Sequence, residues 1–218
     1  MDALLHIATR ANATLPLDVL TALTILAIAP LILVMCTSFV RIIVVLSLVR
    51  SALGTSALPP NTLLTGLALV LTVVVMGPTF ARINHDALIP YSHGKLSASA
   101  FLAHAAEPMR EFMMRQIHHD DLTLFEHLAH RHDTRLRDIP PTVVLPAYVV
   151  GELRSAFAIG FALYLPFVVI DMSVAAIVMG LGMMMLSPSV LSLPVKLLLF
   201  VMVNGWALVC GGVAASFR

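Results

Sequence analysis

The chain alternates between long apolar runs and a single polar block. No charged residue occurs from Val19 to Val40, from Ser51 to Ala81, from Met172 to Val195, or from Leu197 to Phe217. Each run supplies the roughly 20 residues that a bilayer-crossing helix needs. A further stretch, Ser155 to Ile170, is short unless it continues past Asp171. The pattern predicts an all-α protein whose helices form two long hairpins, residues 17–81 and 155–218, after a short polar segment at residues 1–16. The first apolar block extends from Leu17 to Leu48 with Pro30 near its centre. A bend or local opening is expected there, because proline lacks the amide donor and clashes with the preceding turn. Ser51 to Asn61 contains Gly54 and the Pro59-Pro60 pair and reads as the first hairpin turn. The second turn falls at Ser187-Pro188 through Pro194.

Between the hairpins, residues 82–154 hold most of the charges and eight of the nine histidines. Leu102, Met109, Phe112, Met113, Ile117, Leu122, Phe125 and Leu128 recur at roughly helical spacing, with Glu111, Arg115 and Glu126 on the other side. The segment therefore reads as amphipathic helices. About 70 residues make a marginal independent fold, so this region is expected to lean on the membrane helices or on other subunits.

Composition moves the chain firmly into the membrane class. It is 59% hydrophobic and 11% charged, with a mean hydropathy of +0.96, against the roughly 25% charge of soluble domains. A net charge of +1 and the lack of a Lys/Arg cluster interleaved with aromatics exclude nucleic acid as a partner. Cys36 and Cys210 lie in apolar runs, where thiols act as small hydrophobes, so no disulfide framework is suggested. Met1 to Pro16 carries Asp2, His6, Arg10 and Asn12, and no small-residue cleavage site follows; the first helix is expected to stay in the mature protein. Arg41, Arg50 and Lys196 flank the two hairpin turns, which places both turns in the cytoplasm by the positive-inside rule. The termini and residues 82–154 would then face the periplasm.

Few residues offer chemistry. Asp171 sits in an apolar run, where a carboxylate faces a bundle interior or a water-filled cavity. It reads either as an ion-coupling group or as a carboxylate satisfied at a subunit contact. Arg41, near a helix end, is expected to snorkel to the interface. His118-His119-Asp120-Asp121 with His127, His130, His132 and Asp133 is the densest titratable group. His127, His130 and His132 are weak metal-ligand candidates by spacing, and the other reading is a solvated or pH-responsive surface. No phosphate cradle, zinc-protease motif or intramembrane carboxylate pair is present, so the chain does not read as an enzyme and implies no cofactor. Gly180-Leu181-Gly182-Met183-Met184-Met185-Leu186-Ser187-Pro188 places a methionine cluster at a Gly/Pro break between apolar runs. Flexible thioether side chains suit a compliant seal, or else fill irregular packing between helices. Ala207, Gly211 and Ala215 allow close helix approach, and Asn204 offers an interhelical hydrogen bond. This face suits either self-association or packing within one subunit.

Several stretches together resemble the FliP/SctR family of flagellar and injectisome export-gate proteins. They are Thr37-Ser38-Phe39-Val40-Arg41-Ile42-Ile43-Val44-Val45, Leu53-Gly54 with Pro59-Pro60-Asn61, Met76-Gly77-Pro78, and Pro108-Met109-Arg110-Glu111-Phe112-Met113. Leu145-Pro146-Ala147-Tyr148 through Glu152-Leu153, Pro166-Phe167, Ile170-Asp171, Leu193-Pro194-Val195-Lys196 and Gly205-Trp206 continue the likeness. Arg82-Ile83-Asn84 and Pro90-Tyr91 look flagellar more than injectisome. The chain departs at Val203-Asn204-Gly205-Trp206, where many members read Val-Asp-Gly-Trp.

The resemblance implies a core channel subunit of flagellar protein export. Several copies would assemble as a homo-oligomer with FliQ-like and FliR-like proteins into a helical ring in the bacterial inner membrane. FlhA-like and FlhB-like components would serve it, and unfolded flagellar substrates would pass. It implies Met183, Met184 and Met185 as a channel gasket, and Asp171, Gly180, Gly182, Pro188, Asn204 and Arg41 as gate or assembly residues. The rival classes are an injectisome subunit, an ion-coupled transporter built on Asp171, and a membrane scaffold without a channel.

Overall fold

The computed structural model describes residues 19–20, 23–24, 27–28, 30–32, 34–55, 58–130, 139–183 and 186–217. The chain divides into two units, Met1–Met35 and Cys36–Arg218. Every described residue of the first unit is helical, Pro30 included, and a turn at Cys36–Ser38 precedes the first helix of the second unit.

The second unit consists of helices joined by short turns. Helix α1 (Phe39–Ala52) leads into α2 (Asn61–Ile83). A π-helical turn (Asn84–Leu88) and the short α3 (Ile89–Ser92) carry α2 onward past the apolar boundary at Ala81. Helix α4 (Ala98–Gln116) starts at Ser97, whose hydroxyl accepts from the Ala100 amide at 3.2 Å. This is the usual way an N-cap satisfies a first-turn donor. Then come α5 (His119–Leu128), α6 (Pro141–Gly180), α7 (Pro188–Met202) and α8 (Gly205–Ala215).

Helix α1 is central because nearly all its faces are apolar. Ile42, Val45, Leu46, Val49 and Ala52 follow the i, i+3, i+4, i+7 spacing of one buried stripe. They pack with Leu64 and Ala68 of α2, Ala156 and Phe167 of α6, Phe200 of α7, and Val209 and Val213 of α8. The main partner of α1 is α6, so the two expected hairpins interlock. Gly160 makes that approach possible, since a Cβ there would lie 2.2 Å from Leu48 Cδ1.

A second core joins Met76 of α2, Phe112 and Met113 of α4, Leu122 of α5, and Val143, Val144, Ala147 and Tyr148 of α6. Through it the polar region packs on α6 and α2. Leu102 and Leu128, expected on the apolar faces, are instead exposed.

Helix α6 runs unbroken through residues 154 and 155, where the sequence pattern divides the polar region from the second hairpin, and also through Pro146 and Pro166. At 40 residues it is about 60 Å long, twice the ~30 Å hydrocarbon thickness. Its first part is buried by α4, α5 and α1, whereas Phe157, Phe161, Leu165, Val169 and Met172 face outward. The second arm of the hairpin is not one helix. Asn204 adopts φ 52°, ψ 51°, and α7 and α8 meet at 65°. Asparagine is among the few non-glycine residues that tolerate this left-handed corner, and its side chain does not cap α8. Among the described residues, α2 with α3 and α6 are long and apolar enough to cross a membrane, and the bent pair α7–α8 passes the same test when its two helices are taken together. The fold is that of an all-α membrane protein.

Candidate functional site

The loop between α6 and α7 is built by its glycines and its proline. Leu181 ends α6, Gly182 takes φ +73°, the Gly182 amide donates to Met179 O at 3.0 Å, and the Met183 amide donates to Val178 O at 3.1 Å. That pair of bonds is a Schellman closure, and its left-handed position favours glycine. Gly180 has open space where a Cβ would stand, so no steric demand falls on it. Ser187 and Pro188 start α7, proline at the first helical position forfeiting an amide that would have no intrahelical partner. The tip is apolar and uncovered: Met179, Leu181, Met183 and Leu186 are all exposed, Met183 by 43%. Met184 and Met185, the rest of the expected gasket, lie outside the described residues.

Beneath the loop stands a charged clasp. Asp171 is nine residues before the end of α6, and Lys196 is eight residues after the start of α7. At 1.5 Å per residue both lie about 12–14 Å from the loop, so the arms bring them level. Lys196 Nζ donates to Asp171 Oδ2 at 2.5 Å and to Ala52 O at 3.1 Å. Ser192 Oγ donates to Asp171 Oδ1 at 2.6 Å. The lysine side chain is 6% exposed and the aspartate side chain 39%. Ala52 is the last residue of α1, so the ammonium also sits at the negative end of that helix. Asp171 is therefore satisfied within the subunit, by Lys196, which the sequence marks only as a turn-flanking cation, and by Ser192, which it does not single out. The usable signal was the equal distance of two lone opposite charges from one turn.

Arg41 occupies a second node and does not snorkel: the residue is 3% exposed. Its Nε donates to Glu152 Oε2 at 2.9 Å and Nη2 to Glu152 Oε1 at 2.5 Å, a bidentate pair. Nη1 donates to Ser216 O and Oγ, both at 3.0 Å, and Nη2 also reaches Gln116 Oε1 at 3.4 Å. The guanidinium stacks 4.0 Å above the Phe217 ring. The reason is burial: α1 is covered by α6, which leaves the arginine side chain only 4% exposed. Next to it, Tyr148 Oη donates to Thr37 O at 2.8 Å, securing the turn before α1.

These pairs remove two of the three cations used for orientation. Arg41 and Lys196 are neutralised inside the fold, and Arg41 lies at the end of α1 away from the turn. Arg50 alone serves the first turn, bonding Asn61 Oδ1 and Pro59 O.

The described histidines do not assemble. Among the described residues no group of three or more His, Cys, Asp or Glu is placed to hold a metal. His130 has φ 51° just after α5, His127 lies in the last turn of α5, and His132 is outside the described residues. Asn204 acts through its backbone corner. Gly205 follows it, and a Cβ there would lie 2.3 Å from the Phe200 ring. Ala207, Gly211 and Ala215 are exposed, while α8 buries Gly205, Val209 and Val213.

Residues 22–213 match the FliP family. The chain belongs to that family. Flagellar biosynthetic protein FliP of Pectobacterium carotovorum subsp. carotovorum is 48% identical over 205 residues, which is 94% of this chain and 80% of that protein. The protein of the same name from Bacillus subtilis is 45% identical over 207 residues, 94% of each chain. That of Aquifex aeolicus is 41% identical over 199 residues, 90% of this chain and 83% of its own length. As a FliP-family chain it is a membrane component of flagellar export with a structural role, not an enzyme.

Proposed function

We propose that this FliP-family chain is a core channel subunit of flagellar protein export in the bacterial inner membrane. Its α6–α7 loop would form the compliant seal of the pore. The observation that carries the reading is the loop itself, a methionine-bearing apolar tip held at fixed height by a charged clasp. An uncovered apolar tip is costly in water and is suited to closing against like surfaces. Thioether side chains then re-pack around passing segments of dissimilar shape.

Copies of the chain would line the pore with FliQ-like and FliR-like proteins, and FlhA-like and FlhB-like components would deliver unfolded flagellar substrates. The outward residues of α6 and α7 and the small-residue face of α8 are the surfaces such an assembly would cover. Residues 82–154 would lie on the periplasmic side. The flagellar relatives favour this reading over an injectisome subunit.

The test is replacement of Met183, Met184 and Met185 together by Ala, with assembly, flagellar export and membrane ion leakage measured in the same cells. Retained assembly with raised leakage is the expected result. Unaltered leakage and export would reduce the methionines to packing filler and remove the sealing role.

A further inference from the structure

Asp121, in the first turn of α5, is buried, with a side chain 1% exposed. Its Oδ1 accepts from Arg154 of α6 at 2.6 Å, but Oδ2 has no hydrogen-bond partner. A buried carboxylate oxygen in that condition is uncommon, because its lost hydration is not replaced. His118 Nδ1 stands 3.8 Å away, on the corner that joins α4 to α5, and its side chain is 49% exposed. Gly151 of α6 leaves the room between them: a Cβ there would lie 3.4 Å from Asp121 Oδ2 and 3.6 Å from His118 Nδ1. The histidine is thus one small ring movement from a carboxylate oxygen that lacks a donor.

We propose that His118 and Asp121 form a proton-operated clasp that closes the α4–α5 corner onto α6 when the imidazole is protonated. The charged groups around the imidazole come from every neighbouring element. Helix α4 brings Glu107, Arg110, Glu111 and Arg115, α1 brings Arg41, α5 brings His119, and α6 brings Arg154. Glu111 is paired with Arg82, Arg41 with Glu152, and Arg154 with Asp121 Oδ1. Arg115 and Arg154 oppose a charged imidazole, and Asp121 Oδ2 attracts it. A neutral imidazole donates from Nδ1 only in one tautomer, whereas the imidazolium donates from both nitrogens and also attracts the carboxylate, so the contact is strengthened as pH falls through the range in which histidines charge, about pH 8 to 5, and weakened as pH rises.

The corner also carries Gln116, which accepts from Arg41. Closing the clasp therefore presses the polar region onto the buried arginine node. The inference rests on the polar region's geometry and is independent of the sealing role of the methionine loop.

Amide hydrogen exchange of the full chain in mild detergent tests it, comparing about pH 7.5 with about pH 5.5 after correction for intrinsic rates. The peptide of interest covers the corner, residues 114–124. Protection there should rise about two- to ten-fold at the lower pH, the range a single new hydrogen bond supplies. His118→Gln, which donates without titrating, should show equal protection at both values, and His118→Lys high protection at both. Because His118 is half-exposed, neither variant threatens the fold. Equal protection of the native chain at both pH values would mean that water or a neutral Nδ1–H tautomer already serves Oδ2, and would overturn the proposal. So would a pH response surviving in His118→Gln.

Discussion

The clasp beneath the methionine loop predicts an asymmetry between its two partners. Removing one member of a buried ion pair typically costs about 3–5 kcal/mol, because the other charge is left uncompensated. Here the two ends differ in burial. Lys196 is 6% exposed and Asp171 39%. Asp171→Ala leaves the ammonium buried with Ala52 O as its remaining acceptor, and should cost about 3–4 kcal/mol. Lys196→Met leaves a carboxylate that is 39% exposed and that Ser192 still serves, and methionine takes up much of the volume of the lysine stem. Its cost should be about 1–2 kcal/mol, mostly the lost hydrogen bonds. The double variant, Asp171→Ala with Lys196→Met, should be more stable than Asp171→Ala alone, because the second change removes the stranded charge. Thermal denaturation of the full chain in mild detergent, run as a double-mutant cycle, reads all three. A Lys196→Met loss equal to or larger than that of Asp171→Ala, or strictly additive losses, would refute the burial argument.

Two further predictions rest on packing and hydrogen-bond geometry. Gly160→Ala places a Cβ 2.2 Å from Leu48 Cδ1 and should destabilise by about 1–3 kcal/mol, the usual cost of overpacking. Adding Leu48→Ala should recover part of that loss in the same melt, and no recovery would mean that the helices separate instead. Arg41→Lys keeps the charge but cannot reach Glu152 bidentately while also serving Ser216 and stacking on Phe217. It should cost about 2–4 kcal/mol and expose the chain end after Gly212 to limited proteolysis. Unchanged stability and unchanged cleavage would show that charge alone suffices at the node.

Much of the architecture was legible in the sequence because a membrane leaves little choice. Backbone groups in hydrocarbon must bond within their own segment, so charge-free runs of sufficient length read as helices. Turn chemistry was local as well: Gly182 and Pro188 mark the loop because a left-handed closure and a helix start need those residues. Where the reading departed from the structure, the deciding contact lay far along the chain. Arg41 looked like a snorkelling side chain, and its partner Glu152 is 111 residues away. The Asn204 corner was read as a side-chain position when its backbone conformation is what shapes the bend.

The sequence by itself determined which segments avoid water, the helical character of the apolar runs, the site of the methionine loop and the family. These follow from composition, periodicity and short motifs. Only the tertiary structure decided that α1 packs chiefly on α6, that α6 is one helix from the polar region to the loop, and which charges neutralise each other. Those outcomes depend on helix approach at Gly160 and on which side chains are covered. Hydropathy does not encode them, because a buried arginine with a carboxylate and an exposed one beside water share the same letter.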